Sequence, residues 1–199
     1  KQAPIAEPTA VALHAIELGQ EVLKKSINNS KILIIGGGAI GLLCALILEK
    51  YKNCKEIVLI DPNKKRLKVC GDNLKSKTLN PDDTSIKDNS FDLVFDTVGL
   101  EVTRQNSIKY VNSGGVIVHI GLTQAEGSFN FRKATLQEIT FVGTYCYTNK
   151  DFEKTLSLLS NYTLGNLQWI EYRDLKKGAD AFKQIHDGTC SAPKIILIP

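Results

Sequence analysis

The chain has 199 residues, 43% of them hydrophobic and 23% charged, with a formal net charge of +4, which suits one substantial core with an appendage. Its lysines are scattered (Lys24 and Lys25, Lys64 and Lys65, Lys176 and Lys177) and form no stripe interleaved with aromatics, so composition gives no support to nucleic-acid binding. The longest apolar run, from Ile32 to Leu48, is broken by four glycines, and no segment reaches membrane-spanning length.

Five cysteines, Cys44, Cys54, Cys70, Cys146 and Cys190, show no CxxC or other metal-ligand spacing. An odd number at irregular intervals, with no signal-peptide pattern at the start, points to reduced thiols and a cytoplasmic protein. The chain opens on Lys1 without an initiator methionine and enters a helical pattern within a few residues.

In chain order, Thr9 to Lys25 is predicted as a helix, with Pro8 at its first position and Glu7 beside the positive end of its dipole. KILII (31–35) reads as a buried strand, Ile40 to Tyr51 as a helix and EIVLI (56–60) as a strand. Pro62 to about Gly71 reads as a helix ahead of a turn at Asn80-Pro81. FDLVFD (91–96) is a strand, Glu101 to Val111 a helix and GVIVHIG (115–121) a strand. Apolar strands without strict alternation, separated by helices, indicate a parallel sheet covered on both faces. The expected class is therefore α/β, a doubly wound (Rossmann) parallel sheet.

After about residue 125 the rhythm changes. TLQEITFVGTY (135–145) reads as a strand and Asp151 to Tyr162 as an amphipathic helix. A region with Trp169 and Tyr172 follows, then a helix from Lys177 to His186 and the apolar strand KIILIP, whose pairing partner the sequence leaves open.

The stretch KILIIGGGAIG fits G-x-G-x-x-G at Gly36, Gly38 and Gly41, with Ala39 and Ile40 between the last two, directly after a strand and opening a helix. Such glycines serve a tight turn, close approach of backbone to pyrophosphate, and close helix–strand packing. The helix N-terminus adds N–H groups and dipole for the phosphates. Asp61 ends the next strand, 20 residues beyond Gly41, where a carboxylate accepts from the adenosine ribose hydroxyls and repels a 2′-phosphate. NAD is favoured, and Lys64, Lys65 and Arg66 leave NADP open. S-adenosylmethionine-dependent methyltransferases share much of this pattern; Gly41 and the lack of an antiparallel closing hairpin separate them from it.

Taken whole, EPTAVALHA, GGGAIGLL, DPNKKRL, FDLVFDTVG, SGGVIVHIGL, TLQEITFVGTY and the ending AFKQIHDGTCSAPKIILIP resemble, in order, the cofactor-binding half of zinc-type medium-chain alcohol and polyol dehydrogenases. Sorbitol- and threonine-dehydrogenase-like members look most similar, because they carry Glu-Pro where alcohol dehydrogenases carry a zinc-binding cysteine. The resemblance implies that Asp61 holds the ribose, with Arg66 beside it and Thr97 and Val98 lining the adenine-ribose side. It runs Ile120, Gly121, Leu122, Thr144 and Tyr145 past the nicotinamide ribose, sets Val11 near the ring, and aims Lys194 at the pyrophosphate. It sets Glu7 at the catalytic zinc, which polarises the oxygen of an alcohol or polyol so that hydride leaves for nicotinamide.

The same resemblance implies residues 1–165 as the dinucleotide-binding domain, with 1–25 a connecting helix, and 166–199 as a tail that completes a GroES-like catalytic domain outside this sequence. It implies a homodimer or homotetramer through a strand from Leu136 to Val142. The remaining zinc ligands would lie in the other domain, so the chain alone is expected to bind nucleotide weakly or not at all and to turn over no polyol. A non-catalytic nucleotide-sensing or oligomerising module is the alternative. His14 and His119, with no Cys, Asp or Glu at ligand spacing, read as packed residues, and His186 as a helix-end cation. Cys44 and Cys146 read as core, and Trp169 and Tyr172 as packing between domains.

Overall fold

The computed structural model describes residues 2–199. Helix α1 (Ala3–Val22) leads to strand β1 (Lys31–Ile35), α2 (Ala39–Lys50), β2 (Glu56–Ile60), α3 (Lys64–Asn73) and the short β3 (Lys77–Leu79). Then follow β4 (Phe91–Asp96), α4 (Glu101–Tyr110), β5 (Val111–His119), α5 (Phe131–Leu136), β6 (Thr140–Gly143) and α6 (Asn149–Ser160). The tail forms β7 (Ile170–Asp174), α7 (Gly178–His186) and β8 (Lys194–Ile198).

Six strands make one sheet in the order β3-β2-β1-β4-β5-β6, every neighbouring pair parallel. This is the doubly wound arrangement expected. Successive residues of a strand point to opposite faces, so the continuous apolar run of β1 feeds two cores. Ile32 and Ile34 pack with α2, while Leu33 and Ile35 join Val94, Ile108 and Ile117 on the other face. In α2 Leu42, Leu43, Leu46 and Ile47 are all buried; truncating one such leucine to alanine costs about 2–5 kcal/mol.

Three elements depart from the sequence reading. Helix α1 starts at Ala3, not Thr9, so Pro4 sits in its first turn and Pro8 inside it. Pro8 contributes no N–H to the helix ladder, and burial of Ile5 and Ala6 in the main core offsets that loss. The strand expected over Leu136–Val142 is shorter. Asn130 caps α5 by accepting from the Lys133 N–H, α5 runs to Leu136, and Glu138 turns the chain at φ 51° before β6. Finally, KIILIP has a partner within the chain, since β8 pairs in parallel register with β7.

Trp169 is buried with Ile196 of the tail against Leu158, Leu159 and Leu164. The same tail leaves Leu175, Phe182, Ile185 and Ile198 exposed, Phe182 at 72%.

Candidate functional site

All six strands of the main sheet run the same way, so their C-terminal ends gather at one edge: Gly36 after β1, Asp61 after β2, Thr97 after β4, Ile120 after β5 and Thr144 after β6. β1 lies between β2 and β4, where the order reverses, and open α/β sheets bind ligands at such a switch point.

The glycine turn is held from both sides. Gly36 takes φ +104°, and a Cβ on Gly41 would lie 1.8 Å from the Gly36 carbonyl oxygen, so α2 leaves the turn in backbone contact with it. Gly38 caps α2 with φ −72°, and a Cβ there would meet nothing within 4 Å. Ala39 and Ile40, half-buried, open the helix behind it. The open space before Gly38, at a helix N-terminus, is where an anionic group fits.

Asp61 is 3% exposed. Its Oδ2 accepts from the Gly37 N–H at 2.8 Å and faces Arg66 Nη1 at 3.4 Å, while Oδ1 accepts from the Asn63 N–H at 2.8 Å. Each carboxylate oxygen has two lone pairs, so Oδ1 keeps one to offer. Cys70 lies beneath the turn, its Sγ donating to the Gly37 carbonyl at 3.5 Å; burial, then the Asp61 charge, pushes its thiol up to about 12. It stays protonated.

Thr97 and Val98 stand against the same turn, the Thr97 hydroxyl donating to the Ile35 carbonyl at 2.8 Å. Asp96, wholly buried, organises this edge: its Oδ1 accepts from Val98 and Gly99 N–H groups, and its Oδ2 from the Thr103 hydroxyl. The Asp96 carbonyl accepts from Ile120 and Gly121, which ties β5 to the turn after β4. Leu122 and Tyr145 project outward, each 78% exposed, and the buried Thr144 Oγ1 has no hydrogen-bond partner among the described residues. These features fit a dinucleotide laid across the switch point.

Other expected residues stand apart. Glu7 is exposed on α1 without a hydrogen bond or ion pair, and no group of three or more His, Cys, Asp and Glu that could hold a metal forms among the described residues. One carboxylate does not make a zinc site, which needs four ligands; these residues do not fit zinc by themselves. Lys194 opens β8, half-buried, and the contacts from tail to dinucleotide edge come from other groups. Asn63 Nδ2 donates to the Gly188 and Cys190 carbonyls, and Arg66 Nη2 to the Cys190 carbonyl. Sequence reasoning missed Asn63; its position as the residue capping α3 was the available signal.

Cys146 is exposed at φ 55° in the loop after β6, not in the core. His119 packs on Phe141 with ring centroids 5.6 Å apart, and its Nε2 stays 3.8 Å from Asp96 Oδ2, beyond hydrogen-bond reach. His14 does meet a carboxylate, Asp151 Oδ2, at 2.8 Å.

Comparison with known proteins agrees with this geometry. The family described as zinc-binding dehydrogenase matches residues 39–161. The chain belongs to that family. A probable D-xylulose reductase A of Neosartorya fischeri is 24% identical to this zinc-binding dehydrogenase chain over 204 residues, covering 94% of it and 54% of the relative. The chain thus spans about half the length of the curated relatives it matches. Crystal L-idonate 5-dehydrogenase from Escherichia coli K-12 superposes with a TM-score of 0.82 at 23% identity, over 99% of this chain and 57% of that one. Acetophenone reductase from Geotrichum candidum, solved with NAD, gives 0.80 at 19% identity over 94% and 52%. These likenesses establish the fold.

Proposed function

We propose that this chain is the coenzyme-binding portion of an NAD(P)-dependent oxidoreductase acting on a secondary alcohol or polyol. One observation carries the reading: Gly37 donates to Asp61 at 2.8 Å beside a Gly36–Gly41 contact that leaves Gly38 facing open space. That couples a phosphate-binding turn to a ribose-binding carboxylate. A bound nicotinamide supplies the hydride acceptor. The chain's own residues bind and orient it: the α2 N-terminus meets the pyrophosphate, Asp61 the adenosine ribose, and the β5 and β6 ends the nicotinamide half. With Arg66 drawn toward Asp61 and the Cys190 carbonyl, its guanidinium is partly committed, which favours NAD over NADP.

The parallel pairing of β6 with β5 and the family membership leave the methyltransferase alternative without support. The exposed apolar face of α7 and β8 supports a tail that completes a catalytic domain outside these residues, rather than a self-sufficient sensor. In this reading Glu7 contributes one carboxylate to a zinc held mainly by that domain. The uncovered edge of β6, with Phe141, Leu136 and Phe131 exposed nearby, supports pairing with a second copy; a free strand edge is a pairing template. A cytoplasmic location is consistent with the five free cysteines.

The test is a titration of the purified chain with NADH and NADPH into the millimolar range. Weak NADH binding, tighter than NADPH, is expected, and preference for NADPH refutes the role given to Asp61. Turnover of a polyol by the 199-residue chain refutes its reading as one half of an enzyme.

A further inference from the structure

Glu7, Val11 and His14 lie at i, i+4 and i+7 on α1, one stripe of the helix. At its end His14 Nδ1 lies 2.8 Å from Asp151 Oδ2, across 137 residues of chain. An ionised carboxylate only accepts, so Nδ1 donates. The same oxygen accepts from the Thr148 N–H at 2.9 Å and the Thr148 hydroxyl at 2.6 Å, and the hydroxyl in turn accepts from the Asp151 N–H. Asp151 is thus both the reciprocal cap of α6 and the receiver of a bond from α1. The pair is largely withdrawn from water, with side chains 18% and 13% exposed, so it escapes much of the screening that weakens surface pairs.

What the bond holds is the segment between β6 and α6. Its first residue is fixed to the sheet, Thr144 N–H donating to the His119 carbonyl at 3.1 Å, and its last is Thr148. Between them Tyr145, Cys146 and Tyr147 make no backbone N–H bond among the described residues. The Tyr147 ring stacks on Phe152 of α6, centroids 5.6 Å apart. The His14–Asp151 bond ties the C-terminal end of this segment to α1 through the first turn of α6, beside the apolar packing of α6 on α1.

We infer that His14 is a positioning residue: acting through Asp151, it locks the Thr144–Thr148 backbone to α1 at the nicotinamide end of the dinucleotide site. This rests on the dinucleotide reading above. A merely structural His14 would support α6 and affect both halves of the ligand alike, whereas a positioning His14 acts on the nicotinamide half alone.

The test compares NADH with ADP-ribose, which lacks the nicotinamide, on the full chain. His14→Ala is expected to weaken NADH roughly tenfold, the scale of one hydrogen bond to a charged group, and to leave ADP-ribose within about twofold. His14→Asn, whose amide nitrogen can stand in for Nδ1, should recover most of the NADH loss. Equal weakening of both ligands, or of neither, overturns the inference while the dinucleotide reading stands. Preference of the unsubstituted chain for NADPH over NADH refutes the role given to Asp61 instead, and the NADH against ADP-ribose comparison still decides the role of His14. A measurement that needs no variant is amide hydrogen exchange at Tyr145–Tyr147, which NADH should slow and ADP-ribose should not; identical protection by the two overturns the inference.

Discussion

Two glycines three residues apart should fail in opposite ways when given a methyl group. In Gly41→Ala the new Cβ would lie 1.8 Å from the Gly36 carbonyl oxygen and 3.0 Å from its carbon. Relief requires α2 to move off β1 by more than an ångström, yet Leu42, Leu43 and Leu46 of that helix are packed in the core. The expected cost is about 3 kcal/mol, which at this chain length lowers the melting temperature by roughly 6–12 °C. In Gly38→Ala the methyl meets nothing within 4 Å and the backbone is at an ordinary φ of −72°, so stability should change by less than about 1 kcal/mol. That methyl enters the space assigned to the pyrophosphate, and NADH affinity should fall at least tenfold. Thermal melting with a parallel NADH titration reads both. A Gly38→Ala chain that binds NADH as the unsubstituted chain does, or a Gly41→Ala chain that melts with it, refutes the reasoning.

Three further perturbations follow from groups at the same edge and its opposite end. Asp61→Ala strips the acceptor from the Gly37 and Asn63 N–H groups and should cost about 2–4 kcal/mol in urea denaturation; a loss under about 1 kcal/mol would mean water replaces the carboxylate freely. Arg104 is buried and donates to the Gly99, Gln124 and Glu126 carbonyls, so Arg104→Met should speed amide exchange across residues 121–128, and Arg104→Lys should not restore protection. Burial works to raise the Asp92 carboxyl, but Lys25, the Lys31 N–H and Asn112 together hold it below the ordinary carboxylate value. Because its folded pKa is depressed, that stabilisation is present above the unfolded value of about 3.9 and is lost as pH falls through the folded one. Melting temperatures measured from pH 6 to pH 2 should therefore fall less steeply for Asp92→Asn than for the unsubstituted chain.

The main sheet was legible because its strands are buried on both faces: β1 and β2 carry apolar runs of four residues, ILII and IVLI, and β4 carries LVF between Asp92 and Asp96 with Phe91 ahead of them. β3 is three residues, Lys77–Leu79, with no apolar run to mark it. β7 reads IEYRD, charged at three of its five positions, and declares itself only through β8. The error at 135–145 had a local cause. The β-branched and apolar content of TLQEITFV suggested one strand, but Asn130 upstream caps a helix, and that helix consumes the first two residues of the expected strand.

The candidate site divides along a physical line. Its backbone parts were readable, because where two main chains touch, as at Gly36 and Gly41, only the residue without a Cβ fits, and the constraint is written at that position. Asp61 was readable too, from its place at the end of β2, but the side-chain contacts between distant segments were not. Asn63 meets Cys190 across 127 residues and His14 meets Asp151 across 137; the helix-capping place of Asn63 marks the residue but not its distant partner. The carboxylate at helical spacing from His14 on α1 is Glu17, and it pairs with Lys52; the acceptor for His14 arrives on α6, through a sheet order that brings α1 and α6 onto one face. The glycine turn thus reports what must be excluded from a point in space, which one residue can encode. The His14–Asp151 bond reports what must meet there, which takes the fold.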